Sequence, residues 1–330
     1  MNKILEIKDL RVSFDTFNGE VEAVRGVDWY LNEKETIAIV GESGCGKTVS
    51  IQTVLGLNRK DADIKTGEVL FEGEDLLKKS IKEIRKYQGN ELSIIFQDPF
   101  TYLNPTMNVG RQIIDVYLKH HKGVKRKDAE ARAVEILKMI SLPNPEENMK
   151  RYPHQLSGGM RQRIMIAMAL INNPKVLFAD EPTTALDVTV QAQIIDLINN
   201  LKEKINTSIV LITHDMGVVA NMADRVYVMY AGKILEHGYV NDIFKHPKHP
   251  YTQGLLASVP KLSERTKEKL HSIPGTPPDL IKPPVGCPFA ARCPYAMYIC
   301  AKKMPEYAYF DENEHYCACF NYQKKELDHE

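Results

Sequence analysis

Eight residues, Gly41-Glu-Ser43-Gly44-Cys45-Gly46-Lys47-Thr48, constrain this chain more than any other stretch. They follow a β-branched run, Thr36-Ile-Ala-Ile-Val40, and so read as a strand that enters a phosphate-binding loop and opens a helix. The glycines let backbone N–H groups turn inward around phosphate oxygens. Lys47 brings a point charge to the β and γ phosphates, and Thr48 offers its hydroxyl to Mg²⁺. Cys45 only fills a small-residue slot. A chain built around this loop is expected to bind a nucleoside triphosphate.

A second hydrophobic run, Lys175-Val-Leu-Phe-Ala-Asp180-Glu181, ends in two adjacent acids. Successive side chains at a strand end point in different directions, so one carboxylate can hold metal while its neighbour faces water. In-line attack of water on a γ-phosphate needs a bound metal, a carboxylate that orients the water, and donors for charge on the equatorial oxygens. Asp180 with Thr48, then Glu181, then Lys47 with His214 meet those three needs. Ser157, Gly158 and Gly159 form a further donor set at a predicted helix start, where free N–H groups and the helix dipole favour an anion.

The chain has 330 residues, 43% hydrophobic and 26% charged, enough for a large core and more than one domain. Its 43 basic and 43 acidic residues cancel, which argues against nucleic acid as the principal partner. No apolar run approaches the roughly 18–20 residues that cross a bilayer, and the N-terminus lacks a signal peptide's apolar core. The expected location is the cytosol, with any membrane role peripheral. Cysteine usage is lopsided: Cys287, Cys293, Cys300, Cys317 and Cys319 crowd the last 44 positions. In a reducing compartment that clustering favours metal over disulfides.

Alternation of apolar and polar residues from Lys3 to about Leu31 predicts antiparallel strands around a loop at Asn18-Gly19, joined by a piece at Gly67–Gly73. Short apolar runs at Thr36–Val40, Leu92–Phe96, Val176–Ala179, Ile209–Thr213 and Arg225–Met229 predict a parallel core buried on both faces. Val190, Ile194, Leu197, Ile198, Leu201 and Ile205 recur at helical spacing between two of these, giving a βαβ unit. Turn residues bracket a helical region, Lys127 to Ile140. After about Gly238 the text becomes proline-dense, with few periodic elements, and a separate module is expected there.

Taken with the two nucleotide motifs, Leu156-Ser-Gly-Gly-Met160 followed by Arg161-Gln-Arg163 resembles the signature of ABC-type ATPases. The resemblance spans about 235 residues and implies an α/β fold. Its parts are a RecA-like parallel sheet core, an antiparallel β subdomain, a helical subdomain inserted at about 98–160, and a small irregular Cys-containing C-terminal extension. It divides the chain into 1–237 and 238–330. By the same resemblance Phe14, 33 positions before Lys47, matches the aromatic that stacks on adenine. Gln97 matches the glutamine that senses the γ-phosphate and Mg²⁺, Asp180 the metal-binding acid, and Glu181 the catalytic carboxylate. His214 matches the switch histidine and Ala185-Leu186-Asp187 the loop that crosses the dimer. Phe14 replaces the commoner tyrosine and Met160 the commoner glutamine. The family presents Ser157, Gly158 and Gly159 to the nucleotide on the opposite subunit, implying a head-to-tail dimer with two ATP molecules at its interface.

The stretch His249-Pro-Tyr-Thr through Leu255-Leu256, Ile273-Pro-Gly-Thr-Pro-Pro278, and Gly286-Cys-Pro-Phe-Ala-Ala-Arg-Cys293-Pro-Tyr-Ala296 resemble the extension on ATPase subunits of oligopeptide and dipeptide importers. That implies an ATPase at the cytoplasmic face of the membrane, paired with a homologous second ATPase beneath two transmembrane permease subunits. An extracellular solute-binding protein would deliver peptide. A soluble ABC-type ATPase unconnected to transport, or an importer of nickel or sugar, is the alternative. Cys287, Cys293, Cys300 and Cys319 have five, six and eighteen residues between them. Four thiolates suit a 4Fe–4S cluster or Zn²⁺, and the lack of a close Cys-x-x-Cys pair favours the cluster. The resemblance selects Cys319 over Cys317, because it places the ligand four residues after His315.

Overall fold

A computed structural model describes residues 2–184, 187–258, 272–310 and 314–323. Ala185 and Leu186, expected in a dimer-crossing loop, lie outside the described residues. The chain forms two compact units, each assembled from separated segments. One, with residues 1–3, 31–36 and 78–212, holds the acid pair; the other, with 4–30, 37–77 and 213–330, holds the phosphate loop.

The strands are β1 (Lys3–Thr16), β2 (Gly19–Asn32), β3 (Thr36–Val40), β4 (Asp63–Phe71), β5 (Glu74–Asp75), β6 (Leu92–Ile95), β7 (Val176–Asp180), β8 (Ser208–Thr213), β9 (Arg225–Tyr230), β10 (Lys233–Tyr239), β11 (Tyr307–Tyr309) and β12 (Tyr316–Ala318). In the acid-pair unit β6, β7 and β8 run parallel, with Leu92 opposite Val176 and Val176 opposite Ser208. Every residue of β3, β7, β8 and β9 is buried, as runs without alternation require of strands covered on both faces. The helix Val188–Ile205 connects β7 to β8. Asp187 caps it by accepting from the Val190 N–H, and Asn206 ends it at a left-handed φ of 52°. Its buried stripe is Ile194, Leu197, Ile198 and Leu201, each side chain contributing about 1.5–3 kcal/mol by leaving water. Helices Val109–His120 and Arg126–Met139 pack on one another in the same unit, the second one residue displaced from the predicted span.

In the phosphate-loop unit β3 and β9 are parallel, with Ile37 opposite Arg225. A separate antiparallel sheet has the order β2-β1-β4-β5. The proline-dense region is more regular than its sequence suggests. It contributes helices Val240–Lys245 and Pro250–Ala257, and its strands β11 and β12 add antiparallel to β10, with Glu236 opposite Cys317. Three-residue strands are too short to display a period of two, which is why pattern reading passes over them. Among the described residues no helix is long and apolar enough to cross a membrane.

Candidate phosphate-binding and hydrolytic site

The loop leaves β3 at Gly41 and enters the helix Lys47–Val54 through Gly46. Gly41 and Gly46 have no substitute there. A Cβ on Gly41 would stand 2.1 Å from the Met229 carbonyl oxygen, and one on Gly46, at φ 104°, 2.3 Å from that of Ala23. No side chain caps the helix start, so its first N–H groups point at whatever the loop encloses. Ser43 and Gly44 are exposed at the loop's tip, and Thr48 is half-buried in the first turn. The Lys47 ammonium is buried, donating to the carbonyl oxygens of Gly41 at 2.7 Å and Glu42 at 2.9 Å. Cys45 packs under the loop; burial pushes its thiol up, with Lys47 pulling the other way, so it stays a neutral space-filler.

In the acid-pair unit Asp180 ends β7 as a buried carboxylate. Glu181 follows at φ 45°, a left-handed backbone that a residue with a Cβ adopts only when its surroundings hold it. They do: its N–H donates to the Ile212 carbonyl oxygen at 2.8 Å, and its Oε2 accepts from Gln97 Nε2 and Thr184 Oγ1, both at 2.9 Å. Gln97 and Glu181, 84 positions apart, are thus brought together. Ser157 caps the helix Gly158–Leu170 by accepting from the Met160 N–H. A Cβ on Gly159 would meet Val190 Cγ1 at 3.0 Å, and Gln162 donates to the Pro182 carbonyl oxygen at 2.6 Å, tying this helix to the segment after the acids. His214 is exposed at the corner after β8, beside Asp215, which caps the next helix through Gly217 and Val218. Phe14 is half-buried on β1, whereas Phe17, which the sequence reading did not single out, is fully exposed on the turn that follows.

Cys287, Cys293, Cys300 and Cys319 line one hollow with His249, and Cys317 is not among its walls. Cys317 is instead buried on β12 opposite Glu236. Burial first, then the neighbouring thiols, push Cys287 up to about 12, and burial raises Cys293 and Cys319 as well. Only a cation in their midst would hold such groups as thiolates. Among the described residues no group of three or more His, Cys, Asp or Glu side chains stands close enough to grip a metal ion.

Arg292, Tyr251 and Glu42 lie within the motifs read from the sequence, which assigns them no role of their own. Arg292 forms a two-pronged pair with Glu42 of the phosphate loop, and Tyr251 accepts the Glu42 N–H. No local signal announces a pair 250 positions apart.

Residues 24–184 match the protein-family profile described as ABC transporter, and residues 235–300 the one described as oligopeptide/dipeptide transporter, C-terminal region. The oligopeptide transport ATP-binding protein OppD of Bacillus subtilis is 55% identical over 306 residues, covering 92% of this chain and 85% of that protein. The dipeptide transport ATP-binding protein DppD of Lactococcus lactis is 53% identical, covering 92% and 87%. Among solved structures, the ATP-binding cassette MJ0796, a dimer in a post-hydrolysis state bound to ADP and Pi, superposes with a TM-score of 0.65 at 26% identity, covering 72% of this chain and 98% of that one.

Proposed function

This chain belongs to the ATP-binding subunits of ABC transporters, and on that premise we propose that it is the ATP-hydrolysing subunit that powers uptake of dipeptides or oligopeptides. The observation that carries this is the reach of the likeness: it covers 92% of the chain and continues through the region after residue 235 that marks peptide transporters. The two family matches also support a division into an ATPase domain, 1–237, with its helical subdomain at about 98–160, and an extension, 238–330. The partners are a homologous second ATPase, two permease subunits and an extracellular solute-binding protein, and the chain works at the cytoplasmic face of the membrane.

In this reading Lys47 and the N–H groups of Gly41, Ser43, Gly44, Cys45 and Gly46 cradle the phosphates, and Phe14 stacks on adenine. Thr48, Gln97 and Asp180 hold Mg²⁺. That ion would supply positive charge to offset the charge that develops on the phosphates. Glu181 orients the attacking water, His214 donates to the γ-phosphate, and Ser157, Gly158 and Gly159 serve the nucleotide on the partner. The bond from Gln97 to Glu181 supports pairing the sensor with the base, since one side chain fixes the other's rotamer. Reconstituted in vesicles with its partners, the chain should drive accumulation of labelled peptide only with hydrolysable ATP. Accumulation of nickel or sugar but not peptide would overturn the substrate class.

A second reading concerns the extension, where the shared hollow supports a 4Fe–4S cluster held by Cys287, Cys293, Cys300 and Cys319. Such a group would staple a proline-rich segment with little apolar surface of its own. Protein purified without oxygen should contain about four iron and four sulfide per chain. Cys293→Ser should lose both and Cys317→Ser keep them; one zinc and no iron would replace the cluster with a zinc staple.

A further inference from the structure

Glu42, the second residue of the phosphate loop, is gripped by groups that lie far beyond it in the chain. Arg292 Nη1 donates to Glu42 Oε2 at 2.7 Å and Nη2 to Oε1 at 3.1 Å, a fork-to-fork pair whose Arg292 side chain is only 6% exposed. The fork is itself immobilised. Its Nε donates to the Pro274 carbonyl oxygen at 2.9 Å, Nη2 to that of Ile273 at 3.2 Å, and Nη1 to the Tyr230 hydroxyl at 3.1 Å. With the two bonds to Glu42, all five guanidinium N–H groups are used. Independently, the Glu42 N–H donates to the hydroxyl of Tyr251 at 2.8 Å, and Tyr251 is fully buried in an aromatic cluster with Tyr230 and Phe289. The remaining polar group of Glu42, its carbonyl oxygen, accepts from the Lys47 ammonium. A continuous chain of hydrogen bonds therefore runs from the extension through one loop residue to the lysine that meets the phosphates.

We propose that Arg292 and Tyr251 are positioning residues for the nucleotide site: the extension presets the loop so that Lys47 and the loop N–H groups meet the triphosphate already arranged. The inference rests on the ATPase reading of the loop and adds that nucleotide affinity depends on the extension. A loop held before binding has less freedom to lose when the phosphates arrive, so the benefit falls on affinity. Glu181, read as the carboxylate that orients the water, is no part of this chain of bonds, so the chemical step should change little.

The test uses the full chain in its assembled complex, with KM for ATP, kcat and direct ATP binding measured for Arg292→Met, Glu42→Gln, their double variant and Tyr251→Phe. Arg292→Met and Glu42→Gln should each weaken ATP binding and raise KM about tenfold, with kcat within about twofold of wild type. The double variant should be no worse than either single one, since both break the same link. Tyr251→Phe, which keeps the aromatic packing, should weaken binding by about threefold. Wild-type affinity in Glu42→Gln and Tyr251→Phe, effects that add in the double variant, or a fall in kcat at unchanged KM would each overturn the proposal. Failure of the wild-type chain to bind ATP would instead refute the ATPase reading.

Discussion

Glu181 combines a left-handed backbone with a carboxylate anchored by Gln97 and Thr184, so its rotamer is set before any substrate arrives. Glu181→Gln keeps the shape and removes the basic oxygen. It should bind ATP as wild type does and lose turnover by about 10²–10⁴-fold, measured as phosphate release in the assembled complex. His237 makes the opposite demand, for a group that stays uncharged. Its Nδ1–H donates to the Glu314 carbonyl oxygen at 2.9 Å and its Nε2 accepts from Arg225 at 3.2 Å, roles that only the neutral ring fills. Burial, then the Arg225 guanidinium, push its pKa down to about 3. Unfolded, the ring titrates near 6.5, so between those values the unfolded chain binds more proton. Stability contributed by this residue is therefore complete above about pH 6.5 and falls on acidification, by up to about 1.4 kcal/mol per pH unit. Urea midpoints at pH 7 and pH 5 should differ more in wild type than in His237→Gln; equal differences would assign the acid sensitivity elsewhere.

Strand β10 joins the extension to the ATPase sheet, because β9 pairs on one side of it and β12 on the other. A bulge between Ile234 and Glu236 breaks the alternation along β10 and re-aims Glu236 into the interior. There its carboxylate, fully buried, accepts from the N–H groups of Lys248 and His249 and from His315 Nε2, at 2.7, 2.9 and 2.9 Å. Two separate segments, at Lys248-His249 and at His315, converge on one acid. Glu236→Gln puts an NH2 donor where at least one of these donors needs an acceptor and should cost about 1–3 kcal/mol of unfolding free energy. Amide exchange at Lys248, His249 and Tyr316 should quicken first, and unchanged exchange there would show that β10 holds the extension without this residue. The elements that sequence made legible are those with a local signature: short runs without alternation for β3 and β7, and a three- and four-residue stripe for Val188–Ile205. The bulge in β10 and the three-residue strands have none, because what forms them is a partner strand from elsewhere in the chain.

The same contrast holds for the molecule as a whole. The phosphate loop and the acid pair stand out in the sequence because their residue types recur at close spacing. That Arg292 reaches Glu42, or that Gln97 bonds to Glu181, depends on how the chain returns on itself, and spacing carries no trace of it. The division into two units follows the same rule, since neither is a continuous segment and the chain passes between them five times. The wide gap between the loop and its clamp also sets an order in time. At about 5–20 residues per second, a ribosome reaches Arg292 roughly 12–50 s after Glu42. During that interval the nascent chain has displayed its phosphate loop but lacks the guanidinium and the tyrosine that hold it, so the arranged nucleotide site is one of the last features that synthesis completes.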